Sequence, residues 1–377
     1  MKHLNRSLPA IILLKWSFYI LSLTAAFGLP CLIKADDYSN LPGAGKIGNQ
    51  AIPYKNAEIP VLCYHEIASD RWAEEKKDPY ILGLSDFHKQ INWLANEGYQ
   101  TISLQDYHLF ITGRKRFYPP KKPILITFDD GRKSFKKHAF PYLNKAGFKA
   151  VLFIFPEATG HKYFLTWDDL KMFQENGYEI EGHGYTHNHL HKLSRSSQLM
   201  EFEKTKKSIL KNLKKEIQWL AYPYGTYNTD SLPALKDSHF TGAFTVFSGG
   251  NPAGQDPFFS SRYLIKRKDT MEAFQNHVKK RGLHILSAAP ERGSLVRKNE
   301  EITVQINGRF RKENLRLESG PYFEAKNKKR QFEYDEKNGI LKFKAADSKG
   351  DYLIINIQAA DEKEVIHHAS LLYLWKR

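Results

Sequence analysis

Between about residues 59 and 285, short apolar runs alternate with amphipathic stretches. The apolar runs lack polar alternation, which is typical of buried parallel strands; they include IPVLCYHEI, PILITF and KAVLFIF. The intervening segments carry apolar residues at helical spacing, as in LSDFHKQINWLANEGY, where Ser85 is expected to cap the helix and Gly98 to end it. About seven such units predict an α/β fold, a distorted (β/α) barrel.

The pattern changes in residues 286–377, where short alternating strands are separated by turns. EITVQINGRF and DYLIINIQAAD are examples, and Lys337-Asn338-Gly339 is a typical hairpin turn. This range predicts a small all-β sandwich that follows the predicted barrel, residues 59–285. It contains no evident catalytic cluster, so packing, carbohydrate binding and partner binding all stay open, and its partner is unknown.

The first 35 residues have the pattern of a secretory signal peptide or an uncleaved signal anchor. A basic start precedes residues 16–33, which are uncharged and mostly apolar, and residues 36–58 look like a polar linker. We expect export to the periplasm, the envelope or the extracellular space, with cleavage favoured over anchoring. After cleavage Cys63 would be the sole cysteine, and its apolar strand predicts a small core residue without a disulfide.

The charge balance narrows the choice of partners. The chain has 57 basic and 41 acidic residues, a formal net charge of +16, which favours contact with an anionic envelope surface. No helix-turn-helix, RNA-binding aromatic signature or zinc-finger spacing is present, so nucleic acid is not an expected partner.

Two adjacent carboxylates mark the end of one predicted strand. In LITFDDG, Asp129 and Asp130 follow a β-forming run and precede Gly131. Active sites of α/β folds lie at the C-terminal ends of the strands. Two neighbouring carboxylates there stay charged together only if a metal or another positive group offsets their repulsion. The plain alternative is a strand end followed by an Asp-Gly turn.

A pair of histidines follows another predicted strand in EGHGYTH. His183 and His187 are four residues apart, inside a Gly-rich loop or a short turn, and on a helical turn this spacing points both the same way. Two imidazoles with one carboxylate form a common metal-binding face. The alternative is a pair of ordinary surface histidines, which is also the interpretation of the nearby His189 and His191 unless one is a substitute ligand.

Two further strand ends offer polar groups. In AYPYGTYN, the Pro223-Tyr224-Gly225 loop can aim a backbone N–H at a developing oxyanion, or it can be a plain turn. His65 in YHEI can reach the barrel mouth as a general acid, or it can be satisfied by a buried carboxylate. Some aromatic residues could stack on sugar rings or could be core residues; these are Tyr64, Trp167, Tyr185 and Tyr224.

Together, the order and spacing of TFDDG, H-x-x-x-H and P-Y-G resemble the polysaccharide deacetylases of carbohydrate esterase family 4, the NodB-homology domain. The leading YHEI and the helix after it are similar to one branch, the exported poly-β-1,6-N-acetylglucosamine deacetylases of biofilm matrix. The resemblance covers about residues 59–280. It implies metal-dependent hydrolysis of N-acetyl groups from an N-acetylglucosamine-containing cell-envelope or biofilm polysaccharide.

The resemblance also implies roles for individual residues. Asp129 would be the catalytic base and His65 the general acid. Asp130, His183 and His187 would bind a divalent metal, most simply Zn²⁺, with Co²⁺ or Ni²⁺ as alternatives. Tyr224 would supply a backbone oxyanion donor.

The sequence departs from the family pattern at Ala221, where the third motif usually has an arginine. Arg262 in SSRYLI is a candidate to take over that arginine's pairing with Asp129, and His284 in GLHIL is a rival for the general acid. The departure keeps open a non-catalytic glycan-binding or scaffold protein on a degenerate deacetylase fold. A deacetylase of peptidoglycan, chitin oligomers or a lipid-linked sugar is the other alternative.

Overall fold

The computed structural model describes residues 58–113, 120–320, 328–345 and 350–376. The predicted signal or anchor segment, 1–35, and nearly all of the predicted linker lie outside these residues. Within them, no helix combines the length and the apolar character that crossing a bilayer requires. All the described residues belong to one compact unit, Tyr54–Arg377.

Residues 58–280, here called the barrel region, alternate strands and helices. The strands are β1 (Val61–Tyr64), β2 (Glu66–Ala68), β3 (Ile81–Gly83), β4 (Gln100–Thr101), β5 (Pro123–Phe128), β6 (Val151–Ile154), β7 (Glu179–Gly182), β8 (Trp219–Ala221), β9 (Gly242–Phe244) and β10 (Tyr263–Leu264). The helices are α1 (Asp70–Lys76), α2 (Leu84–Asn96), α3 (Leu104–Ile111), α4 (Phe140–Lys145), α5 (Trp167–Glu175), α6 (Arg195–Leu213), α7 (Ser231–Asp237) and α8 (Met271–Lys279).

Parallel pairing joins the principal strands in the order β10-β1-β5-β6-β7-β8-β9, with β4 beside β5. At the far edge, Phe244 of β9 makes a parallel bridge to Ser260, three residues before β10. The sheet therefore curves so that its β9 edge approaches the segment leading into β10, the strand at its opposite edge. This is the distorted (β/α) barrel that the sequence predicts, and that prediction is confirmed.

Local sequence explains where several helices begin. Thr166 and Asp169 form a reciprocal capping box at the start of α5, and Ser194 caps α6. The predicted cap at Ser85 is wrong, because α2 already begins at Leu84 and the Ser85 hydroxyl donates instead to Asp70 on α1.

The helical segment around Pro141 has two parts. A π-helical turn, Phe135–Ala139, precedes α4, and Pro141 lies in the first turn of α4. A proline is tolerated there because the first N–H groups of a helix have no acceptor within it.

The β-region, residues 281–376, is built from two sheets. Its strands are β11 (Arg281–Gly282), β12 (Ile285–Ala289), β13 (Leu295–Val296), β14 (Glu301–Ile306), β15 (Leu315–Gly320), β16 (Lys328–Lys329), β17 (Glu333–Asp335), β18 (Ile340–Lys344), β19 (Tyr352–Ala360) and β20 (Ile366–Trp375). One sheet has the order β11-β20-β19-β15-β16 with β13 also on β20, and the other has the order β12-β14-β18-β17.

The predicted all-β fold of this part is confirmed, and its inward residues form a core of their own, including Val304, Leu341 and Leu371. The β-region also packs directly on the barrel region. Ile354 of β19 and Leu372 of β20 are buried in the main barrel core. The Ser370 hydroxyl donates to the carbonyl of Ser248 at 2.6 Å.

Candidate active site

The two aspartates of the first motif leave β5 in different directions. The Asp129 N–H still donates to the Tyr64 carbonyl at 2.9 Å, so Asp129 continues the strand. Asp130 has φ of 71° and Gly131 has φ of 68°, both in the left-handed region. A Cβ at Gly131 would lie 2.9 Å from Ile154 Cγ2, so a side chain would not fit without movement. The turn separates the two carboxylates.

Asp129 is held by a buried arginine. Arg262, 0% exposed, donates from Nη1 to Oδ1 at 2.6 Å and from Nη2 to Oδ2 at 2.7 Å. Its Nε donates to the Thr245 carbonyl at 2.9 Å, which fixes the guanidinium plane. Burial raises the pKa of Asp129, but the charges of Arg262 and His183 outweigh burial and lower the pKa to about 2. Asp129 is therefore a carboxylate at neutral pH, and Arg262 makes the pairing with Asp129 for which it was the candidate.

Asp130 faces the histidine pair. Its Oδ1 lies 3.3 Å from His187 Nε2 and 3.7 Å from His183 Nε2, and the two Nε2 atoms are 3.2 Å apart. Oδ1 is buried, and no donor among the described residues is aligned with it for a hydrogen bond. Oδ2 accepts from Nε and Nη2 of Arg132 at 3.2 and 3.1 Å. One carboxylate oxygen is thus left for a further partner between the imidazoles.

The orientation of His183 is set by β8. Its Nδ1 lies 2.7 Å from the Ala221 carbonyl, which can only accept, so Nδ1 carries the hydrogen and Nε2 has a free lone pair. Burial lowers the pKa of His183 to about 4, so the ring is neutral near pH 7. A backbone carbonyl that orients the ring in this way is typical of metal-ligating histidines.

These three groups fit a divalent metal. Single ligand atoms from Asp130, His183 and His187 lie within 4.8 Å of one another. Burial raises the pKa of Asp130, but the adjacent imidazoles outweigh it and hold the pKa well below its usual range. One carboxylate with two imidazole nitrogens is a donor set that suits Zn²⁺ and leaves coordination positions for water and substrate.

The histidine pair converges through a loop, not through a helical turn. His187 has φ of 60°, outside the right-handed helical region. The loop is held by Glu201 of α6, whose carboxylate accepts from the Tyr185 N–H at 2.8 Å, the Thr186 N–H at 2.9 Å and the Thr186 hydroxyl at 2.9 Å. Sequence reasoning missed Glu201, because nothing in its helix distinguishes it from an ordinary polar residue.

His65 lies between β1 and β2, beside both aspartates. Burial raises the pKa of Asp129 and the pKa of Asp130. The charge of His65 is one of the effects that lower both values. Its Nδ1 is 4.0 Å from Cys63 Sγ, and that thiol donates to Asp129 Oδ2 at 3.4 Å. Cys63 is a buried strand residue, as expected, but it also contacts the candidate base. The ring of Tyr80 lies 5.3 Å from that of His65.

The Pro223-Tyr224-Gly225 loop follows β8 and lies against the histidine pair. Tyr224, 39% exposed, has φ of 58°, and its ring is 4.6 Å from that of His187. Gly225 has φ of 70°, and a Cβ there would lie 2.8 Å from the Val246 nitrogen. The glycine lets the chain pass close to the Val246 backbone and return toward the cluster.

Four further candidates remain to be placed. The His284 carbonyl accepts from Asn307 in the β-region, and among the described contacts none links His284 to the two aspartates. Tyr64 is 1% exposed and its hydroxyl donates to Gln90, so of the two interpretations given for it the core residue is the one that the structure shows. Trp167 packs against the barrel core, and Tyr185 lies beside the Lys204 ammonium.

Comparisons with known proteins agree with this geometry. Residues 118–243 match the polysaccharide deacetylase family. A putative polysaccharide deacetylase of Bacillus subtilis, YxkH, is 30% identical over 224 residues, which cover 59% of this chain and 77% of that protein. A poly-β-1,6-N-acetyl-D-glucosamine N-deacetylase of Staphylococcus aureus is 27% identical over 290 residues, covering 70% and 96%.

Solved structures show the same fold. The Streptococcus pyogenes deacetylase PplD, solved with acetate, is 25% identical with a TM-score of 0.55, covering 59% of this chain and 98% of that one. IcaB from Ammonifex degensii, at 23% identity and a TM-score of 0.51, covers 59% and 97% and shares the fold. The motif residues, their convergence at the strand ends and these relationships lead to one conclusion: this chain belongs to the polysaccharide deacetylase family.

Proposed function

We propose that this protein hydrolyses N-acetyl groups from an N-acetylglucosamine-containing polysaccharide of the cell envelope or biofilm matrix and releases acetate. The observation that carries the proposal is that two adjacent carboxylates have different partners. Asp129 is ionised and clamped by Arg262, and its Oδ2 lies 3.9 Å from His183 Nε2 of the metal-type cluster. A base directly beside a Lewis-acid site is the arrangement that metal-assisted amide hydrolysis needs.

The metal would be held by Asp130, His183 and His187, with Zn²⁺ the best match and Co²⁺ or Ni²⁺ as alternatives. When bound, such an ion supplies a Lewis acid that polarises the acetamide carbonyl and lowers the pKa of water toward about 7. Arg132 donates to the other oxygen of Asp130, which keeps Oδ1 directed at the histidines.

Two side chains of the protein, Asp129 and His65, then transfer the protons. Asp129 accepts a proton from the attacking water, which adds to the acetamide carbon. Arg262 keeps both oxygens of Asp129 in place, so the carboxylate needs no reorganisation when it receives the proton. The Tyr224 backbone N–H stabilises the oxyanion. His65, as imidazolium, gives a proton to the leaving nitrogen, and the products are acetate and a free amino sugar.

The relationships support the proposed substrate class. The Staphylococcus aureus relative is named for poly-β-1,6-N-acetyl-D-glucosamine, so this polymer is the first substrate that we propose. Peptidoglycan, chitin oligomers and lipid-linked sugars are the alternatives. The net charge of +16 and the apolar N-terminal stretch support an exported protein that works near an anionic envelope. The main argument for a non-catalytic glycan-binding protein was that Ala221 stands where the family usually has an arginine. Arg262, directly before β10, supplies an arginine to Asp129, which weakens that argument.

The test is acetate release from poly-β-1,6-N-acetylglucosamine by the full-length protein, first stripped of metal and then refilled with Zn²⁺. We expect release to depend on the metal and to fall to background in Asp129→Asn, while Asp130→Ala loses both metal binding and release. Circular dichroism checks that the variants fold. Metal binding without release from this polymer, peptidoglycan or chitin oligomers would contradict the proposal, and full activity of Asp130→Ala would contradict the metal assignment.

A further inference from the structure

The β-region reaches the candidate site through the first residue of β19. The Tyr352 ring lies 5.7 Å from the ring of His191. Asp351 forms an ion pair with Lys192 at 2.9 Å. His191 and Lys192 belong to the segment that follows the metal-type histidines after β7. The β-region therefore touches the same loop system that carries the chemistry.

A row of rings connects Tyr352 with that chemistry. The ring of His191 lies 5.3 Å from that of His189, and His189 stacks on Tyr224 at 3.8 Å with an interplanar angle of 18°. Tyr224 in turn contacts His187 at 4.6 Å. His189 and His191, interpreted from sequence as surface residues or substitute ligands, are partly buried spacers in this row.

A second tyrosine, Tyr80, lies beside His65. Tyr80, whose ring lies 5.3 Å from that of His65, has its pKa raised by burial, by Asp78 and by the phenol of Tyr352. Both tyrosines are partly exposed and pack on the barrel core. Tyr352 thus ends the row of rings that begins at His187, and Tyr80 packs against His65.

The backbone at Tyr352 is well supported. Tyr352 pairs with Leu374 in the antiparallel β19–β20 ladder. The Trp375 N–H donates to the Asp351 carbonyl at 3.0 Å, and the Leu374 N–H donates to the Ser294 carbonyl at 2.8 Å. A tyrosine on a paired strand loses little conformational entropy when it binds a ligand.

We propose that Tyr352 and Tyr80 form a sugar-binding subsite beside the deacetylation centre. The ligand is a neutral, N-acetylated pyranose next to the one that reacts in the same polymer. The C–H face of a pyranose packs on aromatic rings, and phenol hydroxyls meet its hydroxyl and acetamide groups. The inference rests on the proposed function and extends it, because it makes the β-region part of the substrate groove and a source of preference for longer chains.

The experiment compares wild-type protein with Tyr352→Ala on β-1,6-linked N-acetylglucosamine oligomers from monomer to hexamer. We expect kcat/KM on the pentamer and hexamer to fall about tenfold, close to 1.4 kcal/mol, with little change on the monomer. Tyr80→Ala should give the same length dependence, and Tyr352→Phe should keep most of the activity. Ile366→Ala, an exposed position on the neighbouring strand β20, is the matched control and should behave as wild type.

Binding separates failure of the subsite from failure of the proposed reaction. Calorimetric titration of the same oligomers into Asp129→Asn, with and without Tyr352→Ala, needs no turnover, and we expect about tenfold weaker hexamer binding in the double variant. Equal hexamer binding, or an equal loss at every length, would overturn the subsite even if acetate is released. Length-dependent loss of binding without any acetate release would retain the subsite and overturn the deacetylase. Absence of both binding and release would overturn both.

Discussion

At the scale of single residues, the two adjacent aspartates have different surroundings. Asp129 stays in the strand register and meets Arg262 in a fully buried, bidentate pair. Asp130 turns through a left-handed conformation and presents one free oxygen to two imidazoles. The difference arises from one backbone torsion and from which cation each carboxylate meets.

Removing the Arg262 guanidinium leaves the Asp129 carboxylate as a buried, unpaired charge. We expect Arg262→Met to lower the free energy of unfolding at pH 7 by about 3–5 kcal/mol, because a desolvated carboxylate loses its partner. The folded pKa of about 2 lies below the unfolded value of 3.8, so this stabilisation is present above pH 3.8 and is lost as pH falls through about 2. The difference in free energy of unfolding between wild type and Arg262→Met should therefore become smaller as the pH falls from 3.8 to about 2.

Urea unfolding from pH 2 to pH 7 measures this. Arg267→Met is the control, since Arg267 pairs with Glu74, whose side chain is 75% exposed, and such a pair contributes about 0–1 kcal/mol. Equal destabilisation by the two substitutions would show that the buried pair has no special contribution.

At the scale of elements, the site depends on contacts between segments distant in sequence. The loop from His183 to His187 is fixed at one end by the Ala221 carbonyl of β8 and in the middle by Glu201 of α6. Neither histidine belongs to a helix that would align it. The geometry of the metal-type cluster is therefore a property of how α6, β7 and β8 pack.

We expect Glu201→Gln to weaken Zn²⁺ binding by about 10–100-fold, because the amide cannot accept all three hydrogen bonds that hold the loop. Competition with a zinc chelator gives the affinity. In the metal-free protein, hydrogen exchange at Tyr185 and Thr186 should become faster. Glu203→Gln, two residues along the same helix and exposed, should leave both quantities unchanged; indistinguishable affinities for the two variants would exclude a positioning role for Glu201.

For the whole molecule, the two regions meet at a buried carboxyl. Glu58 lies just before β1, makes a bridge to Pro252, and its Oε1 accepts from the Gly282 N–H of β11 at 2.8 Å. Burial raises the pKa of Glu58 from 4.5 to about 7, against the lowering effects of Gly282 and Arg281. The junction between the regions therefore contains a proton that the unfolded chain releases at lower pH.

This carboxyl makes stability depend on pH in a stated direction. Because the folded pKa exceeds the unfolded one, its stabilisation is complete below pH 4.5 and is lost as pH rises to about 7. The shift corresponds to about 3 kcal/mol. We expect Glu58→Gln to gain stability relative to wild type by that amount between pH 4.5 and pH 8 in urea unfolding. The exposed control Glu272→Gln should give a pH-independent difference, and a flat difference for Glu58→Gln would contradict the assignment.

Much of the fold could be predicted because the relevant signals are local. Buried parallel strands appear as unbroken apolar runs, and the alternating strands of the β-region appear as period-two patterns. The cap at Ser85 was predicted wrongly, because a preceding residue already starts the helix and Asp70 takes the hydroxyl. Tyr64 was a candidate for sugar stacking, and only the packing of β1 against α2 shows that it is buried.

The sequence by itself determined the family, the strand-end aspartates and the histidine pair, since these groups lie next to their strands in the chain. The tertiary structure decided which distant residues complete them. Arg262 reaches Asp129 across 133 positions of sequence, and the Tyr352 ring meets that of His191 across the boundary between the two regions. The physical reason is that a buried charge or an exposed ring acquires its partner only when the chain packs, and no local pattern records that partner.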